Sequence, residues 1–587
     1  MTSRRLEYHY LKLHRRYVGD GVETTLQELA ELLSCTRRHV RSLLGQMEVL
    51  GWIQWHSRSG RGYRSTLRCL YAPDLLLRQR VEQLLAQGHV EQAVLLMEAD
   101  PQLLTPLLLK QLGKSQQQEQ QILRVPYYRP MPNLNPCLPL RRSEAHLVRQ
   151  IFNGLTRINE ENGEVESDLA HHWQQIAERQ WLFYLRPAVR FHDGRLLDTA
   201  DVLATLQRLQ QHPLFCHLQR VWAVNARTIG IELTRADGRL PWLLADVMAM
   251  VLPADHGQRT DFASRPVGTG PYRVVENNAY HLRLRAFDDY FALRALLDEV
   301  DIWMMPMLAE QLELGERQVC GLEIQNDPSA RQPAIVPEPD SSLPVAEMVL
   351  EQGGYFLLCD SRSAWWQSPS ARRWLQTVLN PYRLMSQVPL AIRRYWAPAA
   401  SLLPQWLHQQ ATGESQAPSV LVSAAATVVK LAYYEQQPEY RMLADEMRLL
   451  LAEQGVTVEL LELDYASWQR GEVMADLWLG SVNFAAPGEW SLGCWLLGSP
   501  LLRRSICGGD EQQLTLWHQQ WQGEQLSSEQ LTGQVISLGW LQPLFHHWLR
   551  LQGPAQARGI RLNNLGWFDF KSAWLTPTMT PTRSPVS

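Results

Sequence analysis

Arginine side chains are concentrated in two short stretches near the start of the chain, and their type and spacing suit the binding of a nucleic acid. The stretches are TRRHVRS (36–42) and SRSGRGYR (57–64). A guanidinium group can bond guanine or phosphate through two parallel hydrogen bonds. The residues predicted to contact DNA are Thr36, Arg37, Arg38, His39, Arg41, Ser42, Arg58, Arg61 and Arg64.

The charge balance of the chain separates this region from the rest. Residues 1–72 contain 12 Lys and Arg against 6 Asp and Glu, whereas the remaining residues contain 44 against 54. A basic head on an acidic body predicts that the head alone meets a polyanion. A chance asymmetry on a solvated surface is the alternative interpretation.

The elements that would position these arginines form a helix-turn-helix followed by a wing. Apolar residues recur at helical spacing in 24–33 and again in 36–51, with a short turn at 34–35. After Gly51 the pattern changes to that of two strands, within 52–71, joined by a Gly-containing hairpin. A second helix of this kind reaches base edges in the major groove, and wing arginines hold phosphates or enter a minor groove. The alternative is a winged helix that binds only protein.

The other residue types capable of catalysis or metal binding occur without the spacing that such sites require. The pairs at 171–172 and 546–547 are adjacent histidines, and neighbours on a strand or helix point in different directions. The GKS at 113–115 lacks the glycine that a phosphate-binding loop requires at position 108. The eight cysteines are scattered, which favours reduced thiols. The sequence therefore predicts no catalytic residue, no metal site and no cofactor.

The remainder of the chain predicts an α/β body. Residues 73–121 read as a helical connector with a Gln-rich linker, and 576–587 as a flexible tail. From 122 to 575, strand-like and helical runs alternate. FHDG (191–194) predicts a tight turn followed by a helix capped at Asp198 or Thr199, and GTGPY (268–272) predicts a passage between two lobes.

The body resembles the family 5 periplasmic solute-binding proteins. The motifs that carry the resemblance include SDLAHHWQ (167–174), LRPAVRFHDGRLLDTADV (185–202), PVGTGPYRV (266–274) and NLGWFDFKSAW (564–574). The resemblance implies a two-lobed, type II binding-protein fold, with lobe I at about 122–275 plus a C-terminal return and lobe II at about 276–530.

In peptide-binding members, an acid after a tryptophan strand anchors the peptide amine, and the matching residue here is Ser481. Without that acid, a neutral or anionic solute is favoured. The cleft candidates are Asp360, Arg362, Trp365, Trp478, Ser481 and Asn483.

The whole arrangement resembles the SgrR-type transcriptional regulators, in which a winged helix is fused to a solute-binding domain. LLSCTRRHVRSLLGQM (32–47), GRGYRSTLRCLY (60–71), RVPYYRP (124–130) and RINEENGEVESDLAHHWQQ (157–175) carry this resemblance. It implies a cytoplasmic regulator that binds double-stranded promoter DNA, responds to sugar-phosphate accumulation and activates a small regulatory RNA.

The N-terminal residues have no apolar core typical of an export signal, and no run approaches the ~18–20 apolar residues of a membrane span. A homodimer is the expected form of self-association. The competing interpretation is a cytoplasmic solute-binding accessory of a transporter that never touches DNA.

Overall fold

The computed structural model divides the chain into two compact units, Met1–Gln111 and Leu112–Ser587, and each is considered by itself. The structure describes residues 4–17, 21–58, 64–86, 89–97, 116–117, 120–304, 346–389, 393, 395–408, 428–507, 511–552 and 557–576. The predicted tail, 576–587, lies outside these residues except for its first position. Among the described residues, no helix is both long and apolar enough to cross a bilayer.

The first unit contains five described helices and a small sheet. Its helices are α1 (Arg4–Arg16), α2 (Leu26–Leu32), α3 (Arg37–Val49), α4 (Pro73–Ala86) and α5 (Val90–Met97). Its strands are β1 (Val22–Thr24), β2 (Ile53–His56) and β3 (Ser65–Cys69), in the order β1-β3-β2. The predicted helix pair and wing strands are therefore present, while α1 and β1 are additions that the sequence interpretation did not include.

Side-chain caps and buried residues explain why α2 and α3 form. Thr25 caps α2 and forms a capping box with Glu28, and the Thr36 hydroxyl accepts a hydrogen bond from the backbone N–H of His39 at the start of α3. Helix α3 ends before Gly51, whose φ of +71° suits a C-terminal glycine. Leu50, the last apolar position of the helical pattern in 36–51, is the C-cap residue of α3 and is 42% exposed. The shared core consists of residues from α1, α2, α3 and the sheet, among them Tyr10, Leu13, Leu29, Leu33, Val40, Leu43, Leu44, Met47, Trp52, Ile53 and Leu67.

The second unit begins with the elements of one lobe. Its strands are β4 (Gln116–Gln117), β5 (Gln120–Tyr127), β6 (Thr156–Ile158), β7 (Val165–Ser167), β8 (Ala170–Ala177), β9 (Gln180–Leu185), β10 (Leu218–Asn225), β11 (Thr228–Leu233), β12 (Tyr272–Asn277), β13 (His281–Ala286) and β14 (Glu299–Met304). Its helices are α6 (Arg142–Ile151), α7 (Thr199–Leu209) and α8 (Leu240–Leu243). They form a five-stranded sheet, β12-β13-β14-β5-β4, and a four-stranded sheet, β10-β11-β9-β8.

The other lobe is built around a seven-stranded sheet. Its strands are β15 (Ala346–Leu350), β16 (Gly353–Cys359), β17 (Trp396–Pro398), β18 (Val428–Tyr434), β19 (Thr457–Leu463), β20 (Leu477–Asn483) and β21 (Leu541–Gln552). Its helices are α9 (Pro369–Val378), α10 (Pro381–Gln387), α11 (Pro438–Ala452), α12 (Tyr465–Arg470), α13 (Gly488–Gly498), α14 (Pro500–Cys507), α15 (Glu511–Gln522) and α16 (Ser528–Ser537). The sheet order is β15-β21-β16-β20-β18-β19, with β17 paired to β21. The short strands β22 (Ala557–Arg558) and β23 (Trp574–Leu575) follow.

The pairing of the strands places the boundary between the lobes after β14, rather than near residue 275 as predicted. Strand β13 pairs with β12, and β14 runs parallel to β5, so both strands belong to the first lobe. The return of the chain to this lobe is visible at Tyr272, whose hydroxyl donates to the carbonyl of Phe570 at 3.0 Å. The first lobe therefore extends to β14, and the second begins at β15.

The GTGPY segment differs from the predicted passage between lobes. It leads directly into β12 and packs against the end of α6, where the N–H of Gly270 donates to the carbonyl of Ile151 at 2.8 Å. A Cβ atom at Gly268 would lie 2.1 Å from the same carbonyl oxygen. Close packing within one lobe, rather than lobe-crossing flexibility, is therefore the reason that glycine is needed here.

The turn predicted at FHDG is present and has a structural role. The N–H of Arg195 donates to the Asp193 carboxylate at 3.2 Å, and Asp198 caps α7 in a capping box. Burial lowers the pKa of His192 to about 4, and its ring lies 3.0 Å from the carbonyl oxygen of Gly270. These contacts account for the motif as a turn and a helix cap.

Candidate DNA-binding surface and ligand cleft

Helix α3 presents a basic face to solvent. The apolar side of the helix is buried through Val40, Leu43, Leu44 and Met47. The exposed positions of the opposite side include Arg37, Arg38, Arg41, Ser42 and Gly45. Thr36, also predicted to contact DNA, is occupied as the N-cap of the helix. This face has the guanidinium groups and the small residues that allow a helix to approach bases in a major groove.

The two described wing arginines pair with acidic residues of the same unit. Arg64 donates two hydrogen bonds to Glu28, at 2.6 and 2.7 Å, whereas Arg58 lies 3.8 Å from the Glu23 carboxylate. A hydrogen bond from Thr24, with smaller contributions that include Arg64, holds the pKa of Glu28 below its usual value. Arg61 lies outside the described residues. The ion pair of Arg58 with Glu23 is therefore longer than that of Arg64 with Glu28.

A cavity of about 610 Å³ lies between the two lobes of the second unit. The first lobe lines it with the start of α6 and the segment before that helix, and the second lobe with the ends of β18 and β20 and with α12. The charged lining residues are Arg129, Arg141, Arg142, Arg149, Arg470, Asp246 and Glu351. Because Arg129 is paired with Glu144 at 2.5 Å and Arg470 with Glu472 at 3.3 Å, Arg141, Arg142 and Arg149 remain against the two lining carboxylates. This excess of positive charge favours an anionic ligand.

The arginines at the start of α6 reach across the cleft. The guanidinium of Arg142 lies 3.4 Å from the side-chain oxygen of Asn483. The guanidinium of Arg141 lies over the Tyr434 and Tyr465 rings, at 5.2 and 4.9 Å from their centroids. The Tyr465 hydroxyl also donates to the carbonyl of Leu140 at 3.0 Å. These contacts join the two lobes directly beside the cavity.

Two of the six residues predicted to line the cleft are in this cavity. Ser481 receives a hydrogen bond from the Tyr440 hydroxyl at 2.7 Å, and the Asn483 amide donates to Glu351 at 2.8 Å. Both residues lie near the end of β20. The Ser481 hydroxyl and the Asn483 amide are therefore polar groups of the cavity wall, and each is oriented by a hydrogen bond to a neighbouring side chain.

The other four predicted cleft residues lie away from this cavity. Asp360 is fully buried and accepts hydrogen bonds from Arg362 at 2.6 and 2.9 Å and from the Trp478 indole at 2.9 Å. Trp365 and Trp478 are core residues, at 6% and 0% exposure. A buried carboxylate needs such partners, so this network is accounted for by the packing of the second lobe. We do not include these four residues in the proposed ligand site.

Sequence reasoning missed the arginines that dominate the cleft. Arg141 and Arg142 occupy the N-cap and first position of α6, next to an uncapped helix start. The available signal was the Arg-Arg pair immediately before an amphipathic helix, since a positive helix N-terminus normally favours acidic residues. These two arginines place positive charge at the end of the helix that lines the cavity.

Two known protein families match successive regions of the chain. Residues 5–119 match the family described as sugar transport-related sRNA regulator, N-terminal region. Residues 164–492 match the bacterial extracellular solute-binding proteins, family 5, middle region. The two matches confirm the predicted combination of domain types.

Two curated relatives match over almost the entire chain. The HTH-type transcriptional regulator SgrR of Pectobacterium atrosepticum is 45% identical over 98% of this chain and 100% of its own length. The protein of the same name from Yersinia pestis is 44% identical over the same shares.

Solved structures of low sequence identity share the fold of the second unit. The murein tripeptide binding protein MppA of Escherichia coli has a TM-score of 0.60 at 15% identity, over 78% of this chain and 99% of its own. AgaA from A. tumefaciens, in complex with agropinic acid, has a TM-score of 0.60 at 16% identity, over 78% and 99%. These similarities confirm the two-lobed binding-protein fold.

Proposed function

The chain belongs to the SgrR family of HTH-type transcriptional regulators, and from this premise we propose that it binds promoter DNA through α3 and the wing and senses a small anionic solute in the interlobe cleft. The observation that supports the proposal most strongly is the arginine distribution. One set lies on an exposed helical face, and the other lines a cavity sized for a small molecule. The proposed boundaries are 1–72 for the winged helix, 73–121 for the connector and about 122–575 for the solute-binding domain.

The roles proposed on DNA differ between helix and wing. Arg37, Arg38, His39, Arg41 and Ser42 would read or approach bases, with Thr36 fixing the start of the helix. Arg58, Arg61 and Arg64 would hold phosphates. The protein would act in the cytoplasm, as a homodimer if its operator is a palindrome, since operator symmetry mirrors protein symmetry. Its relatives are named as transcriptional regulators, a class that requires no catalytic residue.

A sugar phosphate is the proposed effector class. Its phosphate would be held by Arg141 and Arg142 at the start of α6, where the helix dipole adds to the two positive charges. Its hydroxyls would meet Ser481, Asn483 and the tyrosines of the second lobe. The absence of an acid at Ser481 removes the anchor for a peptide amine and leaves the net charge of the cleft positive.

Solute binding would control transcription through lobe closure. Arg141 and Arg142 already contact the second lobe, so a phosphate bridging the two lobes would favour the closed arrangement. A coupling free energy of about 1–3 kcal/mol between solute and promoter would change promoter affinity roughly five- to 150-fold. We propose that the controlled genes include that of a small regulatory RNA and neighbouring transport genes.

Footprinting of the full-length protein on DNA upstream of its own gene tests the proposal. We expect a protected site whose apparent affinity changes when a hexose phosphate is added and does not change with the unphosphorylated hexose. Equal binding to this fragment and to random duplex would reject DNA recognition and favour the transport-accessory alternative. A specific footprint that ignores the hexose phosphate would reject only the effector class.

A further inference from the structure

Three side chains with metal-binding atoms converge in the first unit. They are His9 on α1, Cys35 in the turn after α2, and His39 in the first turn of α3. One ligand atom from each lies within 4.8 Å of the other two. The His9 and His39 rings are 6.4 Å apart between centroids and almost perpendicular, at 80°. His9 is buried and Cys35 is partly buried, so the cluster is held by the packing of the fold.

The chemistry of these donors is specific. Two imidazole nitrogens and one thiolate form a soft, tetrahedral-type set that suits zinc, and three protein ligands leave a fourth position for water. Bonds of about 2.0–2.3 Å place the ligand atoms of a tetrahedral zinc about 3.5 Å apart. The ligand atoms, which lie within 4.8 Å of one another, would have to move closer by about 1 Å to reach that separation.

We propose that His9, Cys35 and His39 form a divalent metal site of the zinc class in the winged helix. The Cys35 thiol now lies 3.2 Å from the carbonyl oxygen of Leu33, to which it donates. On metal binding, this thiol releases its proton to solvent and the thiolate binds the ion, while each histidine contributes one neutral ring nitrogen. The fourth ligand is water.

The site links two helices with different roles. His9 belongs to α1, whose Leu6, Tyr10 and Leu13 lie in the core of the unit, whereas His39 lies at the start of α3. A bound ion therefore fixes the distance between these helices and holds the His39 ring toward α1. Because His39 is among the residues proposed to approach bases, metal occupancy would weaken promoter binding, a consequence that rests on the proposed function.

Cobalt provides a direct test on the full-length reduced protein. Tetrahedral Co²⁺ with a thiolate ligand absorbs visible light strongly and has a thiolate-to-metal charge-transfer band in the near ultraviolet. We expect one Co²⁺ per chain to produce both signals and Zn²⁺ to displace it. Cys35→Ser should abolish the charge-transfer band, and His9→Gln should lower Co²⁺ affinity by at least the roughly 10- to 100-fold that loss of an outer-shell partner costs. Cys69→Ser, in strand β3 of the same unit, is the matched control that should retain both signals.

Each outcome separates the metal site from the DNA-binding proposal. Far-ultraviolet circular dichroism of each variant shows whether it is folded, and His39→Gln provides a third ligand variant if another one unfolds. A charge-transfer band that persists in Cys35→Ser, or its absence in the unaltered protein, would overturn the metal site whatever the protein does on DNA. Promoter affinity measured with and without Zn²⁺ then tests the consequence. Unchanged affinity with the cobalt signals intact would reject control of DNA binding by the metal and leave the site in place.

Discussion

The two units differ in where their arginines lie: on an exposed helix face in the first unit and around a cavity in the second. In the winged helix, Arg37, Arg38 and Arg41 lie on the exposed face of α3. In the binding-protein unit, Arg141 and Arg142 line the cavity between the lobes, and the Arg142 guanidinium lies 3.4 Å from the side-chain oxygen of Asn483. An exposed row of charges can follow an extended polyanion, whereas charges inside a cavity can meet only a molecule that fits within it. Placement, rather than charge alone, therefore distinguishes the two proposed partners.

The largest effect is expected from removing the exposed charges of α3. The double variant Arg38→Ala, Arg41→Ala should lower affinity for the promoter site about 100-fold or more, since each base-contacting arginine contributes about 1–3 kcal/mol. It should also bind operator and random DNA more equally. Gel-shift titration at constant salt measures both effects. Solute binding by the same variant should be unchanged, and a parallel loss there would contradict the separation of the two regions.

A smaller effect is expected from removing one charge of the cleft. Arg142→Ala should weaken binding of a hexose phosphate by about 10- to 150-fold, because hydrogen bonds to charged groups contribute about 1.5–3 kcal/mol. Isothermal titration calorimetry provides the measurement. The specific footprint should remain, although it should no longer respond to the hexose phosphate.

Arg227→Ala is the matched control for the cleft variant. Arg227 is an exposed arginine in the turn between β10 and β11 and does not line the cavity. We expect its solute affinity to equal that of the unaltered protein. Equal loss in both variants would indicate a general charge effect instead of a phosphate site at α6.

The same contrast explains what could be predicted from sequence. The face of α3 was predictable because a 3.6-residue period fixes which side chains are buried and which are exposed. The cleft was not, because its lining comes from segments more than 300 residues apart, such as Arg142 and Asn483. Trp478 and Asp360 were predicted to line the cleft, but the Trp478 indole donates to the Asp360 carboxylate at 2.9 Å within the buried core of the second lobe. The sequence alone does not distinguish such a buried pair from cleft residues. The proposed metal set could not be assembled from the sequence, because His9 lies on a helix that was not predicted.

A buried histidine of the binding-protein unit predicts how the free energy of unfolding depends on pH. His146 is 1% exposed and stacks on Trp567, and burial, assisted by Arg149, lowers its pKa to about 3. In the unfolded chain the ring takes a proton near pH 6.5, so stability is present above that pH and is lost as pH falls toward 3. At pH 5 the expected loss from this group is about 2 kcal/mol.

Denaturant unfolding of the full-length protein at pH 7.5 and pH 5 measures this loss. His146→Gln should reduce the difference between the two pH values by about 2 kcal/mol, even though the lost stacking lowers stability at both. His171→Gln, which alters an exposed histidine on β8, should leave the difference unchanged. Equal pH dependence in His146→Gln and the unaltered protein would show that His146 is not the group responsible.

The smallest effect should distinguish the two described arginines of the wing. Each phosphate contact contributes about 0.9 to the slope of log affinity against log salt concentration. Arg58→Ala should lower that slope by about 1, since its distance of 3.8 Å from Glu23 leaves the guanidinium available to a phosphate. Arg64→Ala should lower the slope less, because Glu28 already holds Arg64 through two hydrogen bonds.

Glu28→Gln provides a third variant for the salt slope. It keeps a residue suited to the capping box and frees Arg64, so it should raise the slope. If Arg64→Ala and Arg58→Ala lower the slope equally, the Arg64 pair must open on DNA, and the exposed and paired arginines of this unit would act alike.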